Sequence, residues 1–233
     1  MNWVLIVAGV TFLSTLSYWI FVATEGVFLG RRMVIWLYDL TAHRYDSIKE
    51  FSASDDSFFI ARPSIRAVWV VNNPLILDVA TGTGRVPHAL LRESDFDGFV
   101  VGLDASKRML DQARVKLSNS DERTGGNHSL VQQFAVPLPF PDNTFDLVCC
   151  LEAIEFFPSA AEALVEMVRV LKPGCTLITS RRRGRQARLY LGRYRSRTDF
   201  EALLRKSDLA DVQISLWELD YDMVTASKDL GLV

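Results

Sequence analysis

The pattern of apolar and polar positions divides the chain into three stretches. From Trp3 to Thr24 no side chain is charged, and at about 1.5 Å per residue a helix of that length reaches roughly 33 Å, enough to cross a bilayer core. Trp3, Tyr18 and Trp19 are aromatics of the kind that gather at membrane interfaces. No Lys or Arg precedes the run and no small-x-small cleavage site precedes Glu25, which argues against a removed signal peptide. A helix docked on the domain or on a partner is the other reading. Arg31 and Arg32 follow the run, so the positive-inside bias predicts one span, residues 1–30, with the main domain on the cytoplasmic side.

Residues 31–73 mix apolar and polar positions at helical spacing. The pairs Tyr38-Asp39 and Tyr45-Asp46 stand seven apart, close to two turns, which predicts one helical face. That face is either a lid whose tyrosines close over a ligand or an amphipathic helix with solvated aspartates.

After Pro74 the period becomes that of alternating buried strands and helices, predicting a parallel sheet covered on both faces over residues 74–233. Strands are expected at Leu75 to Val79, Phe99 to Leu103, about Leu130 to Phe134, Phe145 to Leu151 and Thr176 to Ser180. Helices are expected from about Arg85 to Glu93, behind a Ser106 cap with Met109, Leu110, Ala113 and Leu117 inward, and through Leu164, Met167, Val168 and Leu171. Ser118 to His128 reads as a polar surface loop. Thr198-x-x-Glu201 resembles a capping box for a helix burying Phe200, Leu203 and Leu204. Two last strands, about Val212 to Leu216 and Leu219 to Ala226, are joined by so little chain that they must be antiparallel.

Charge changes this picture in one place. The chain carries a net −2, yet residues 181–197 hold eight arginines and no acid. With Leu189, Tyr190, Leu191 and Tyr194 interleaved, the cluster predicts contact with an anionic leaflet, a solvated basic loop being the plainer reading. Nucleic acid is not expected as the partner of an anchored, acidic chain. Cys149, Cys150 and Cys175 have no metal or redox spacing and read as reduced core thiols.

The chemistry gathers around Leu75 to Arg85. An apolar run that ends in a glycine turn and opens a helix lets backbone amides approach a ligand, with the helix N-terminus beneath them. Gly82 and Gly84 supply the turn, and Asp104, twenty residues beyond Gly84, suits a carboxylate that accepts from a ribose diol. The spacing also fits an NAD(P)-dependent oxidoreductase, but Pro87 stands where that fingerprint has its third glycine. Glu152 and Glu155 lie at the exit of a central strand, the edge where open α/β sheets bind ligands.

Four runs carry a family resemblance: Tyr38-Asp39-x-x-Ala42-x-x-Tyr45-Asp46, Leu77-Asp78-Val79-Ala80-Thr81-Gly82-Thr83-Gly84, Leu138-Pro139-Phe140-Pro141-Asp142-Asn143-Thr144-Phe145-Asp146 and Arg169-Val170-Leu171-Lys172-Pro173-Gly174. In this order they resemble signatures of the class I S-adenosylmethionine-dependent methyltransferases, type 11, the group that includes the ubiquinone/menaquinone C-methyltransferases. The likeness runs from about Tyr38 to Lys228. It implies a Rossmann-like α/β fold: a seven-stranded, mostly parallel sheet with the last strand antiparallel and helices on both faces. S-adenosylmethionine is the implied cofactor, with contacts at Tyr38, Asp78, Ala80, Gly82, Gly84, Asp104, Ala105, Gln133, Phe134, Ala135 and Leu151. The sequence departs from the family at Phe134, where relatives often have an aspartate facing the adenine amino group; a phenyl ring cannot accept that N–H, which leaves Gln133 or backbone groups. It departs again at Phe156, where many relatives have a histidine, so Glu152 and Glu155 are the remaining carboxylates and no resident metal is expected. The expected activity is methyl transfer to a small, hydrophobic or membrane-associated acceptor such as a lipid or quinone. Glu155, Glu152, Tyr45 and His43 are the candidate bases. A catalytically silent scaffold of the same fold is the remaining alternative.

Overall fold

The computed structural model describes residues 2–49, 51–118 and 127–230. Helix α1 (Asn2–Tyr18) continues through one wider turn, Trp19–Ala23, and none of Trp3–Ala23 is buried against the rest of the chain. By length and composition this is one helix able to cross a membrane. A bend at Glu25 and Gly26, both in the left-handed region, turns the chain back toward the domain. Four short helices then follow: α2 (Arg31–Thr41), α3 (Tyr45–Lys49), α4 (Ala53–Asp56) and α5 (Arg62–Ala67). The two Tyr-Asp pairs therefore sit on two helices, not one, because the chain tightens at Ala42–Arg44. The Tyr38 and Tyr45 rings still face each other, with centroids 5.9 Å apart.

The sheet contains β1 (Leu75–Val79), β2 (Phe99–Asp104), β3 (His128–Gln132), β4 (Phe145–Cys150), β5 (Leu171–Arg182), β6 (Leu209–Leu216) and β7 (Tyr221–Lys228), in the order β3-β2-β1-β4-β5-β7-β6. All neighbours from β3 to β5 pair in parallel, and β7 runs antiparallel between β5 and β6. The order reverses between β1 and β4, where each strand's next crossover leaves in the opposite direction and opens a crevice at the carboxyl edge. Consecutive side chains on these strands enter opposite layers, as a pleat requires. Leu77, Val79 and Val148 pack with α8 (Ala160–Val170) and, beyond the single turn α9 (Gly184–Ala187), with α10 (Arg197–Arg205), while Ile76 and Leu147 pack with Ile60 and with Leu90 of α6 (Arg85–Leu91). Cys149 and Cys150 follow the same alternation and point into different layers, so neither can reach the other as a disulfide.

Several boundaries differ from the sequence pattern. β3 ends two residues earlier than expected: the Gln133 N–H makes the last bond to β2, at the Asp104 carbonyl, and Gln133 and Phe134 then form the loop at the crevice. Helix α8 stops at Val170, and Leu171 is extended and paired with Phe145. The cap of α10 is Ser196, not Thr198: its hydroxyl accepts from the Asp199 N–H at 3.1 Å. The stripe Met109, Leu110, Ala113 and Leu117 is buried on α7 (Lys107–Ser118), with Ser106 capping it through the Met109 N–H at 3.1 Å. Most of the polar loop expected at Ser118 to His128 lies outside the described residues.

Candidate active site

A cavity of about 270 Å³ opens over the carboxyl ends of β1, β2 and β4. Its floor is made by residues that immediately follow those strands: Ala80 and Gly82, then Asp104, Ala105 and Ser106, then Leu151, Glu152 and Ala153. Gln133, Phe134, Ala135 and Val136 form one wall, and Phe156, Phe157 and Pro158 form another. Helix α2 roofs it with Arg31, Val34, Ile35 and Tyr38, the i, i+3, i+4, i+7 set of one face. Tyr45 of α3 completes the roof.

The backbone of the floor is held in unusual conformations. Ala80 and Glu152, neither of them glycine, have φ of 59° and 53° at the ends of β1 and β4. Such residues cost on the order of 1–3 kcal/mol each and persist where surrounding structure enforces them. For Glu152 part of that enforcement is visible: its N–H donates to the Ser180 hydroxyl at 2.6 Å. Gly82 has φ of 55°, and a Cβ built on it meets no atom within 4 Å. The turn thus needs glycine for its dihedral and leaves open space above it.

Asp104 organises the next part. One carboxylate oxygen accepts from the Gly82 N–H and the other from the Ser106 N–H, both at 2.8 Å. Burial raises its pKa from the ordinary carboxylate value, against the pull of these amides. Roof and floor are joined by the two aspartates of the Tyr-Asp pairs, which are half-buried and hydrogen-bonded. Asp39 accepts from the Ser106 hydroxyl at 2.5 Å and from the Arg108 N–H at 3.2 Å, at the positive end of α7. Asp46 accepts from the Thr83 hydroxyl at 2.5 Å and pairs with Lys116 at 2.6 Å.

The four candidate bases are placed differently. Glu152 lines the cavity, but Lys49 at 2.5 Å and Arg85 at 2.8 Å each engage one of its oxygens. Tyr45 also lines it, and burial, with Glu152 nearby, holds the phenol far above its usual pKa, so it stays a neutral hydrogen-bonding group. Glu155 does not line the cavity. Its carboxylate is turned under β5 and β7, accepting from Arg182 Nε at 2.7 Å and from the Tyr221 hydroxyl at 2.6 Å. His43 is exposed in the turn between α2 and α3 and is not a lining residue. Of the expected cofactor contacts, Tyr38, Ala80, Gly82, Asp104, Ala105, Gln133, Phe134, Ala135 and Leu151 line the cavity. Asp78 is buried beneath the turn, and Gly84 faces Ala113 of α7, with a built Cβ only 3.1 Å from that methyl group. Neither reaches the space itself.

Sequence reasoning missed Arg31, Val34 and Ile35 as lining residues. The signal was available, since with Tyr38 they make one helical face, but Arg31 was read only as a charge flanking the apolar run. Part of the arginine cluster is turned into the fold. Arg181 is ion-paired with Asp222, Arg182 with Glu155, and Arg193 donates to the carbonyls of Glu155, Phe157 and Val27. Arg185 and Arg188 remain exposed beside Leu191 and Tyr194.

A sheet of this order, with a glycine turn after β1 and a half-buried aspartate closing β2, defines the class I methyltransferase fold. Residues 77–179 match the family model described as a methyltransferase domain. The demethylmenaquinone methyltransferase of Lactiplantibacillus plantarum is 34% identical over 142 residues, covering 61% of this chain and 59% of that protein. The ubiquinone/menaquinone biosynthesis C-methyltransferase UbiE of Proteus mirabilis is 35% identical over 146 residues, covering 63% of this chain and 57% of that one. The chain thus spans less than two thirds of the length of these relatives. Among solved structures the cyclase SpnF superposes with a TM-score of 0.66 at 18% identity, over 87% of this chain and 97% of the other, a likeness of fold alone. The cofactor of the family is S-adenosylmethionine, and the open space above Gly82 beside the amide-held Asp104 carboxylate fits its methionine and ribose ends.

Replacing Gly82 with valine tests that fit. The side chain would project into the open space and its φ would cost on the order of 1–2 kcal/mol. Calorimetry is expected to show S-adenosylhomocysteine binding weakened by roughly 100-fold or more, an effect of about 2.7 kcal/mol or greater. Unchanged affinity would remove the glycine turn from the cofactor site.

Proposed function

We propose that this protein transfers a methyl group from S-adenosylmethionine to a small lipophilic acceptor, a lipid or isoprenoid quinone, at the cytoplasmic face of a membrane. The observation that carries this reading is the composition of one cavity. An amide-held carboxylate and a glycine turn lie on its floor, apolar Val34, Ile35, Phe156 and Phe157 face them, and the roof is the helix that follows an apolar segment able to cross a bilayer. Quinone methyltransferase relatives support the choice of acceptor.

The bound cofactor supplies an electrophilic methyl group on a sulfonium, and displacement there needs alignment and exclusion of water more than it needs a catalytic triad. Asp104 holds the ribose hydroxyls. Tyr38, Tyr45 and the apolar face of α2 keep water out and orient the acceptor. Both oxygens of Glu152 are engaged by cations, so that carboxylate is not free to act as a base. An acceptor whose nucleophile ionises readily, such as a hydroquinone, suits that arrangement. Residues 1–30 anchor the chain, Arg31 and Arg32 set its orientation, and exposed Arg185 and Arg188 face the anionic leaflet.

The test is incubation of the full chain, in bilayer discs, with methyl-labelled S-adenosylmethionine and a lipid extract containing reduced quinones. A labelled product in the organic phase that requires the enzyme is the expected result. Cofactor binding with no labelled lipid would point to the silent scaffold, and a labelled water-soluble product would overturn the acceptor class.

A further inference from the structure

We infer that Arg31 belongs to the cofactor site, where together with Phe134 it holds the purine by its faces and ring nitrogens, leaving the exocyclic amino group almost unread. The inference rests on the methyltransferase reading above and concerns one end of the same cavity. The Arg31 guanidinium lies 4.3 Å over the centroid of the Phe134 ring, and both residues line the cavity beside Ala105 and Asp104. A guanidinium in van der Waals contact with an aromatic face is a preformed stacking platform, and it carries five N–H donors and no acceptor.

The rest of this wall offers donors as well. The Gln133 side-chain carbonyl already accepts from the Phe134 N–H at 2.9 Å, which leaves its amide N–H groups outward. Asp104 is engaged by two backbone amides at the adjoining subsite. A purine offers ring nitrogens as acceptors and π faces for stacking, and both match this wall. Its exocyclic amino group needs an acceptor, and neither the Phe134 nor the Arg31 side chain has one. Besides Asp104 and the cation-bound Glu152, the carboxylate lining the cavity is Glu162, on the first turn of α8 behind Pro158 and Ser159.

Arg31 is also held in register by the lid. It opens α2 directly after Gly30, whose φ is 92°, and the same helix is fixed one face-length away by the Tyr38 hydroxyl on Glu25 at 2.7 Å and by Asp39 on Ser106. The residue just beyond the apolar segment thus reaches into the nucleotide end of the site.

The experiment is calorimetry of S-adenosylhomocysteine and its 6-deaminopurine analogue, which carries hydrogen in place of the amino group and keeps every ring-nitrogen acceptor, on the full chain in detergent. Wild type is expected to bind both within about tenfold of each other, where a site built to hydrogen-bond the amino group discriminates by roughly 10⁴. Arg31→Ala is expected to weaken both by tenfold or more with an unliganded melting temperature equal to wild type, whereas Arg32→Ala, at an exposed neighbour, leaves both unchanged. Phe134→Asp is expected to create a preference of tenfold or more for the adenine ligand. Equal binding by Arg31→Ala and wild type would overturn the inference, as would strong discrimination by wild type that Glu162→Gln abolishes. Failure of wild type to bind either ligand would instead overturn the methyltransferase reading.

Discussion

Glu155→Ala is expected to destabilise the protein by about 3–5 kcal/mol while leaving the methyl-transfer rate of the remaining folded molecules within a few-fold of wild type. Glu155 is 7% exposed, and one of its oxygens takes both the Arg182 Nε–H and the Tyr221 hydroxyl. Arg182 is itself enclosed, its guanidinium 4.5 Å from the Tyr190 ring centroid and 5.0 Å from that of Tyr221. Removing the carboxylate leaves a buried cation whose nearest remaining carboxylate is Glu25, at 3.7 Å. The loss is dominated by that uncompensated charge and not by the worth of the pair itself. For a chain of this length it corresponds to a fall in melting temperature on the order of 10 °C. Glu155→Gln, which keeps an acceptor, should lose less. Melting curves combined with turnover per folded molecule check both halves. A collapse of turnover with an unchanged melting temperature would return Glu155 to the list of bases.

This network shows what the sequence could and could not disclose. The strands, their layers and the antiparallel end were legible because apolar runs of strand length, separated by helical stripes, admit few arrangements in a parallel sheet. Gly82 and Asp104 were legible because one fixes a backbone conformation and the other ends a strand at a fixed spacing. Glu155 was not, since position at the exit of β4 says nothing of which way a carboxylate turns; the answer depends on Arg182, Tyr221 and Tyr190, all distant in sequence. The arginine cluster was legible only in part for the same reason. A charge run reads as a solvated face, but three of its members satisfy Asp222, Glu155 and backbone carbonyls inside the fold. Asp39 and Asp46 were ambiguous until α7 and the glycine turn were seen beside them.

The Asp78 contribution to the stability of the unliganded protein should drain away as pH rises from about 4 to about 7, and Asp78→Asn should make the fall in stability shallower. Asp78 is 2% exposed on β1 beneath the glycine turn. Burial pushes its carboxyl up to about 7, and the nearby charge of Asp104 adds to the shift. An aspartate in the unfolded chain titrates near 3.9. Between these values the native state holds a proton that the unfolded state has released, so each rise in pH favours unfolding. The stabilising effect of the protonated carboxyl is complete below about pH 4, drains away through the interval, and is gone above about pH 7. A shift of three units corresponds to about 4 kcal/mol. Asparagine is neutral at every pH and nearly isosteric, so the variant should fall less steeply across this range, Asp104 keeping its own share, and be more stable than wild type at pH 8. Urea unfolding from pH 4 to 8 in detergent checks this, and parallel slopes for the two proteins would assign the pH dependence elsewhere. The same residue should tie pH to cofactor binding. A cationic ligand above the turn favours ionised Asp78, so affinity should climb as pH rises through about 7, and the variant should lose that climb along with its gain in stability. The acid that weakens the empty fold at neutral pH is then the one that favours the charged ligand when the site fills.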